Sequence, residues 1–478
     1  MTTRGEPITT TDPPPRGSLR QQVYRGGRFL VARQLIGMAI KLVGILAVTR
    51  LIGPEAYGLF AAVAVVTAVL ATLAVFGIDV QLVRSSRGSA ADDTAFVVLV
   101  GSSILIGGLA ALGAPLLGSW LQADGAVAPM RTVAAFLPLM AIGAPARARL
   151  ERELRFDAVA RIELSADIAV YAVSIPLAVA GAGVWAPIVG LLARNAVLVT
   201  TSYRAARYVP RLMIDREELV AMARFGTGYS AAKWLSLIGD LVNPIVVGRV
   251  LGPVGVGHVA VASRIVEQLG AAKQATMRLA VAAFARLGDD RARLRAAHAE
   301  GVLVQVVGSV PLYASAAFLA PWFIPFAFGS DWAPAAEVLG LLAIAASIGT
   351  LFNLGPPLLQ VLGRNGPVVW LRGLQVSSLL GFTLMLVPAL GVVGYGLAQL
   401  IRTVPFLTVQ RELLRWFRPN YRSGGRWVGA LLPMMTAAWW PAALRPVLLV
   451  GPIVLLSLPS TRREVRYVVG HVIGRRPS

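Results

Sequence analysis

Ten charged side chains lie within apolar stretches of about twenty residues, the length at which a helix crosses a bilayer. A charge at the bilayer centre costs about 2.5–3.5 kcal/mol on insertion scales, so it needs a partner or a water-filled cavity. Eight cations against two acids give the set a net charge of +6, and a cavity of that sign attracts an anion. Arginine and lysine both bind phosphate oxygens, so we expect a phosphate- or carboxylate-bearing substrate. The cations are Arg33, Lys41, Arg194, Lys233, Arg264, Lys273, Arg372 and Arg402, and the acids are Asp240 and Glu267.

The first apolar stretch, FLVARQLIGMAIKLVGILAVT (29–49), carries both of its cations on one face. At about 100° per residue, Arg33 and Lys41 fall with Gly37 and Gly44 inside an arc of roughly 80°. The two cations are about 12 Å apart along the helix axis. We therefore expect an anionic headgroup to engage one cation and then the other.

The seventh stretch, GTGYSAAKWLSLIGDLVNPIVVG (226–248), places Lys233 and Asp240 on one face, and Pro244 is able to bend the helix. In the internal alignment given below, Lys41 corresponds to Asp240, which would put a lysine and an aspartate at equivalent depth. Two interpretations stay open: the two residues form a structural ion pair, or Lys41 binds substrate.

The eighth stretch contains a pair that a helix can form internally. Arg264 and Glu267 are three residues apart, so their side chains meet on one helix face. Lys273 lies close enough to a helix end to extend its ammonium group to the membrane surface. Arg194 and Arg402 occupy matching positions in the two halves of the chain, and we count both as candidate cavity residues.

These charges sit in a chain that is 56% hydrophobic and only 14% charged, where a soluble protein carries about a quarter. The length of the apolar blocks predicts an all-α polytopic membrane protein with fourteen spans, or twelve if the last two form a short hairpin. The spans are 29–49, 58–78, 95–117, 131–147, 163–181, 184–203, 226–248, 254–274, 301–321, 334–354, 367–387, 391–410, 427–444 and 446–459.

The basic residues are distributed by topology. The net charge is +21, and 33 of the 45 basic residues fall in alternate gaps between spans that would lie on one side of the membrane, while four fall in the gaps on the other side. This bias indicates cytoplasmic termini in a cell membrane and contact with anionic lipid headgroups. Because the cations do not cluster on one domain, the sequence excludes nucleic acid as a partner. Cysteine is absent and the three histidines lack ligand spacing, so we expect no disulfide, metal site or cofactor.

Two phrases reveal an internal repeat. RLIGPEAYG (50–58) and RVLGPVGVG (249–257) share four identities at an offset of 199 residues, and GAGVWAPIVGLLARN (181–195) matches ALGVVGYGLAQLIRT (389–403) at an offset of 208. Six spans per half is an even number, so the halves are parallel repeats, which predicts two pseudo-symmetric six-helix bundles around a central cavity. Each phrase carries a Gly-Pro turn that is a candidate hinge. The hinge residues are Gly53, Pro54, Gly252 and Pro253.

The expected organisation has five parts. They are a disordered basic cytoplasmic tail over 1–27, an amino-terminal lobe and linker over 28–225, a carboxy-terminal lobe and linker over 226–426, an extra transmembrane hairpin over 427–459 and a basic cytoplasmic tail over 460–478.

The run LVARQLIGMAIKLVGILAVTRLIGPEAYGLFAAVAVV (30–66) resembles the amino-terminal signature of the polysaccharide repeat-unit flippases. These belong to the superfamily of multidrug, oligosaccharidyl-lipid and polysaccharide exporters. LERELRF (150–156), the second Gly-Pro phrase and GVVGYGLAQ (391–399) extend the resemblance. It implies alternating access by a two-lobed flippase that carries polyprenyl-pyrophosphate-linked oligosaccharide between leaflets. Polysaccharide polymerase and glycosyltransferases would then be partners.

Three alternatives stay open. A multidrug or metabolite antiporter of the same fold tends to keep acids in its first lobe, and span 1 has none. A peptidoglycan-precursor flippase has fourteen spans, which the extra pair at 427–459 would match. A membrane glycosyltransferase or polymerase usually carries a large outside loop with catalytic acids or histidines, and the two longest outside loops, 121–131 and 321–334, hold one acid each and no histidine. We therefore expect a transporter and not an enzyme.

Overall fold

The computed structural model describes residues 16–84, 89–120, 123–153, 155–288, 290–416 and 418–473. The side chains of 16–36 and 225–236, and a few scattered others, lie outside that description. All regular structure in the described residues is helical, and the chain forms two helical bundles followed by a carboxy-terminal helical hairpin.

The amino-terminal lobe is built from eight helices. They are α1 (Arg16–Val75), α2 (Ile78–Arg84), α3 (Ser89–Trp120), α4 (Val127–Ala135), α5 (Leu137–Ala141), α6 (Gly143–Arg152), α7 (Phe156–Val179) and α8 (Trp185–Ala206). The carboxy-terminal lobe contains α9 (Arg216–Val242), a π-helix (Asn243–Val247), α10 (Gly248–Leu269), α11 (Ala271–Leu287), α12 (Arg291–Phe328), α13 (Pro334–Phe352), α14 (Gly355–Val361), α15 (Gly366–Leu390), α16 (Val392–Ile401) and α17 (Phe406–Trp416).

Both Gly-Pro phrases break their helices. Gly53 interrupts α1 with φ 76° and ψ 172°, and Gly252 interrupts α10 with φ 66° and ψ −169°. Glycine is favoured here because positive φ strains residues that carry a Cβ, and the proline that follows has no N–H to continue the helix. The two halves thus share an unusual backbone conformation at matched positions, as their alignment predicts.

Eight helical elements among the described residues are long and apolar enough to cross a membrane, or ten if each of two bent pairs is one span. Two of them, Val43–Val75 and Leu237–Leu269, are 33 residues long and contain the Gly-Pro breaks, so each includes parts of two predicted spans. The protein is therefore a multi-pass membrane protein. The totals of fourteen and twelve spans stay predictions.

The predicted carboxy-terminal pair is an antiparallel hairpin of short segments. It comprises α18 (Arg422–Leu431), 3-10 helices at Leu432–Trp439 and Ala442–Leu449, α19 (Val450–Ser457) and α20 (Pro459–Ile473). Its arms touch where Gly451 meets the carbonyl of Ala430. Prolines 433, 441, 446 and 452 remove backbone donors, which explains why neither arm is one continuous α-helix.

Two helices begin earlier in the chain than the expected organisation places them. Helix α1 begins at Arg16, inside the segment predicted to be a disordered tail, because the chain after Pro15 is free of proline and consists mainly of residues that a helix tolerates. Residues 1–15 lie outside the described part. Helix α9 begins at Arg216 with Asp215 as its N-cap, before the predicted lobe boundary at 226. The domain limits otherwise stay predictions.

Candidate functional site

A cavity of about 480 Å³ lies between the two lobes. Helices α1, α7 and α8 of the amino-terminal lobe form one wall, and α10 with the end of α12 forms the other. Its charged lining residues are Lys41, Arg194 and Arg264 against the single carboxylate of Asp167. Three cations against one acid leave this cavity with a positive charge.

Asp167 holds two of the three cations. Its Oδ2 lies 2.8 Å from Lys41 Nζ, and its Oδ1 lies 3.4 Å from Arg194 Nε. The carboxylate is only 10% exposed, whereas the Lys41 side chain is 46% and the Arg194 side chain 31% exposed. A ligand in the cavity can therefore reach both cations, whereas the carboxylate that orients them lies behind them.

Small residues let these helices come close enough to form this group. A Cβ on Gly44 of α1 would lie 2.3 Å from the ring of Tyr171, so only glycine leaves room for that ring on α7. The Tyr171 hydroxyl in turn donates a hydrogen bond to the Lys41 carbonyl at 3.3 Å. On α8, a Cβ on Gly190 would lie 1.9 Å from Ser174 Oγ, which brings α8 and its Arg194 against α7.

The carboxy-terminal lobe adds a second group of charges beside the cavity. Arg264 Nη1 lies 3.3 Å from Glu267 Oε2, which confirms the ion pair predicted from their spacing. Asp240 is exposed and lies within electrostatic range of Arg402 and Arg264. Arg402 also donates to Gln399 Oε1 at 3.2 Å. Arg264 thus links the cavity to the Asp240 and Arg402 side of the carboxy-terminal lobe.

The structure contradicts one of the two interpretations left open for Lys41, an ion pair with Asp240. Lys41 pairs with Asp167 and not with Asp240, because α7 packs directly against α1 within the same lobe. Neither Asp167 nor Tyr171 is among the candidates predicted from the sequence; the available signal for Asp167 is an acid within the predicted span 163–181. The side chains of Arg33 and Lys233 lie outside the described residues, so their part in the cavity stays a prediction.

The two Gly-Pro phrases meet each other at one end of the cavity. A Cβ on Gly58 would lie 1.7 Å from the Pro253 carbonyl oxygen, and a Cβ on Gly257 would lie 2.4 Å from the Pro54 carbonyl oxygen. Each glycine therefore admits the backbone of the opposite lobe, in a contact that has two-fold symmetry. We call residues 54–58 with 253–257 the reciprocal crossing; it places both phrases on the same side of the molecule.

The arginine of each phrase also reaches into the opposite lobe. Arg50 donates to the carbonyls of Phe326 at 2.9 Å and Ala327 at 3.2 Å, at the end of α12. The Arg249 guanidinium lies over the ring of Trp120, at the end of α3, with 5.6 Å between Cζ and the ring centroid. Because α3 and α12 follow the two phrases in equivalent positions, these contacts are symmetric in role although they differ in chemistry.

The described part of the chain holds no group of three His, Cys, Asp or Glu side chains that could bind a metal ion. The side chains that line the cavity instead offer ion pairing, hydrogen bonds and apolar contact, which suits binding and movement of an anion.

Comparison with known proteins identifies the family. A family model described as polysaccharide biosynthesis protein matches residues 47–337, more than half of the chain. The chain belongs to this family. The succinoglycan biosynthesis transport protein ExoT of Rhizobium meliloti (strain 1021) is 26% identical over 336 residues, which cover 69% of this chain and 67% of ExoT. The lipopolysaccharide biosynthesis protein WzxC of Escherichia coli (strain K12) is 25% identical over 399 residues, which cover 82% of this chain and 79% of WzxC.

Two solved structures resemble this polysaccharide biosynthesis protein in fold. The lipid II flippase MurJ in an inward closed conformation superposes with a TM-score of 0.70 at 13% identity, covering 93% of this chain and 99% of MurJ. An inward-facing multidrug resistance MATE transporter of the MOP superfamily superposes with a TM-score of 0.58 at 18% identity, covering 81% of this chain and 98% of that one. The chain therefore shares its fold, two helical bundles around a cavity, with these two proteins.

Proposed function

We propose that the protein is a flippase that moves a polyprenyl-pyrophosphate-linked oligosaccharide from the inner to the outer leaflet, for the assembly of cell-surface polysaccharide. The observation that carries the proposal is the cavity between the lobes, where Lys41, Arg194 and Arg264 face a single carboxylate. Family membership and the names of ExoT and WzxC, a transport protein for succinoglycan biosynthesis and a lipopolysaccharide biosynthesis protein, support the glycan part of the substrate.

In the proposed binding step, the diphosphate replaces Asp167 as the partner of Lys41 and Arg194. Charge-assisted hydrogen bonds are the strong ones, and arginine can hold two phosphate oxygens at once. Asp167 stays behind the cations and keeps them oriented while the cavity is empty. Because a carboxylate already compensates the two cations, the substrate gains only the difference between the two sets of bonds, which permits release as well as binding.

The reciprocal crossing is the proposed gate at one end of the cavity. Two cavity-lining residues connect it to the cavity: Tyr57 belongs to the crossing, and Phe328 follows Ala327, whose carbonyl accepts from Arg50. For the cavity to open at this end, the backbones of Gly58 and Gly257 must separate and Arg50 must leave the end of α12. The distribution of basic residues supports an outer-surface position for this gate, with both termini on the cytoplasmic side of the cell membrane.

A second function of the same fold, export of a cationic drug or metabolite, is disfavoured by the sign of the cavity. A peptidoglycan-precursor flippase carries the same diphosphate and stays an alternative that only the glycan distinguishes. A glycosyltransferase or polymerase would change the covalent structure of the sugar, so analysis of the lipid-linked product separates it from all of the transporters.

The experiment is a flipping assay with the purified full-length chain in proteoliposomes. A diphosphate-linked isoprenoid oligosaccharide is placed in both leaflets, and an impermeant sugar-modifying enzyme reads the outer fraction over time. The proposal expects complete modification with the wild type and a slow second phase with Lys41→Ala. Arg161→Ala is the matched control, because Arg161 is a 72%-exposed cation paired with Asp157 outside the cavity. Modification that stops at half with the wild type would overturn the proposal, and a new glycosidic bond would indicate an enzyme.

A further inference from the structure

The segment that joins the two lobes exposes an unusual amount of apolar side chain. Between the end of α8 and the start of α9, Val209 is 81%, Leu212 85%, Met213 62% and Ile214 58% exposed. These residues belong to a nonhelical segment and not to a lipid-facing span, so the spans' own contact with lipid does not explain their exposure.

This segment is held in place by the amino-terminal lobe. The Tyr208 hydroxyl donates to Asp93 Oδ1 at 2.5 Å, and the backbone N–H of Arg211 donates to the same oxygen at 3.0 Å. The Asp215 N–H donates to Thr94 Oγ1 at 2.9 Å. Burial and the hydrogen bond to Asp93 raise the pKa of the Tyr208 hydroxyl, so it remains a donor at physiological pH. The apolar side chains are therefore presented by a fixed backbone.

The lengths and starts of the neighbouring helices indicate that the segment lies near a membrane surface. Helix α8 has 22 residues from Trp185 to Ala206 and is therefore about 33 Å long, slightly more than the hydrocarbon thickness of about 30 Å. Asp93 and Thr94, which hold the segment, lie in the first turns of the membrane-spanning α3. A segment that follows the predicted span 184–203, precedes the predicted span 226–248 and touches the start of α3 is expected at the headgroup layer.

Cations surround the apolar side chains. Five arginines in and beside the segment are exposed; they are Arg204, Arg207, Arg211, Arg216 and Arg224. Apolar side chains interleaved with basic ones are typical of a surface that lies in the membrane interface, where apolar groups enter the acyl boundary and cations meet anionic headgroups. We call residues 207–216 the linker surface.

We propose that the linker surface is a membrane anchor that inserts into the leaflet on its own side and binds anionic phospholipid headgroups. The occupant is a bilayer and not a protein, because the surface is held at the start of the membrane-spanning α3 and its charge complements an anionic leaflet. Because the segment is hydrogen-bonded to Asp93 and Thr94, the linker surface would attach the amino-terminal lobe to this leaflet. This inference does not depend on which substrate the cavity carries.

The test uses the absence of native cysteine. Met213→Cys is labelled with an environment-sensitive fluorophore in the full-length chain, which is reconstituted into vesicles with or without phosphatidylglycerol. Quenching is measured with bromine-labelled lipid and with aqueous iodide. Arg293→Cys is the matched control, because Arg293 is 76% exposed in the predicted cytoplasmic segment before span 9, without a cluster of apolar neighbours. We expect lipid quenching at 213 and iodide quenching at 293.

A second variant tests the headgroup part. Each arginine near an anionic surface strengthens association about fivefold, so Arg207→Gln/Arg211→Gln should lower the ratio of inserted to free segment by about 30-fold in phosphatidylglycerol vesicles. Gel filtration establishes that each variant is folded. If iodide quenches the fluorophore at position 213 in every kind of vesicle, the anchor is refuted and the surface is a protein-docking site instead. If lipid quenching is the same with and without phosphatidylglycerol and is unchanged by the two substitutions, binding to anionic headgroups is refuted.

Discussion

Substitution of Lys41 and of its partner Asp167 separates a substrate-binding role for the lysine from a structural one. The lysine side chain is about half exposed and can contact substrate, whereas the aspartate is nine-tenths buried and contacts mainly protein, so the two substitutions should have different effects. Lys41→Ala removes one possible contact with a diphosphate. Asp167→Asn keeps both cations and removes the carboxylate that competes with substrate for them.

The structure sets the expected magnitudes. A charge-assisted hydrogen bond contributes about 1.5–3 kcal/mol, so Lys41→Ala should weaken substrate binding by about one to two orders of magnitude. Its cost in stability should stay well below the roughly 3–5 kcal/mol of a broken buried pair, because Arg194 still compensates the carboxylate at 3.4 Å. Lys41→Arg keeps the charge but not the geometry and should retain part of the activity.

Asp167→Asn should act in the opposite direction on affinity. It frees Lys41 and Arg194 for the diphosphate, so binding should tighten by up to about tenfold while turnover falls, since tight binding of the ground state does not speed the later steps. Abundance should fall only moderately, because both cations are partly exposed and water can solvate them.

The assay combines flipping in proteoliposomes, thermal stability of the purified variants and a double-mutant cycle. If Lys41 binds substrate, Lys41→Ala/Asp167→Asn stays slow even where stability recovers. If Lys41 only neutralises Asp167, the double variant recovers both stability and transport. Full transport by the double variant would refute the substrate role of Lys41.

Three further predictions concern the gate and the amino-terminal lobe. Gly58→Ala should block transport and lower thermal stability, because its Cβ would lie 1.7 Å from a carbonyl oxygen of the opposite lobe. Gly101→Ala is the control: the new methyl group meets open space, so transport and thermal stability should both stay unchanged. Single cysteines at Glu55 and Val254 should both react with an impermeant thiol reagent added outside cells; reaction of only one would contradict the parallel repeat. Arg152→Ala should lower the free energy of unfolding by about 3–5 kcal/mol, because Asp92 is 1% exposed and both of its carboxylate oxygens accept from Arg152 Nη2; unchanged membrane abundance and melting temperature would contradict this prediction.

The sequence predicts the repeat and its turns because both depend on local chemistry. A Gly-Pro dipeptide at the end of an apolar run demands a helix break, and Gly53 and Gly252 have almost the same backbone angles. What periodicity cannot supply is the contact between the breaks. That Gly58 meets the backbone of Pro253, and Gly257 that of Pro54, depends on how two bundles pack across a pseudo-symmetry axis.

The candidate site was predicted as a set of residues but not as a set of pairs. Charges inside apolar spans identified Lys41, Arg194 and Arg264, and the structure places all three on one cavity. The i, i+3 rule gave the Arg264–Glu267 pair because both residues share a helix. The partner of Lys41 lies on another helix, 126 positions along the chain, and no single-helix rule reaches Asp167.

The two halves of the repeat are alike at the reciprocal crossing and different at the charged positions. At the reciprocal crossing the halves stay alike, because a contact between two copies of one phrase is self-complementary only while both keep the same small residues. At the charged positions the halves differ: the 208-residue offset aligns Asp167, which lines the cavity, with Gln375, which lies outside the cavity lining and accepts a hydrogen bond from Arg372. The amino-terminal lobe thus carries at this position a carboxylate that orients two cavity cations, and the carboxy-terminal lobe carries a neutral amide. The proposed gating uses both features: the symmetric crossing would separate and meet again, while the asymmetric charges would bind the anionic substrate.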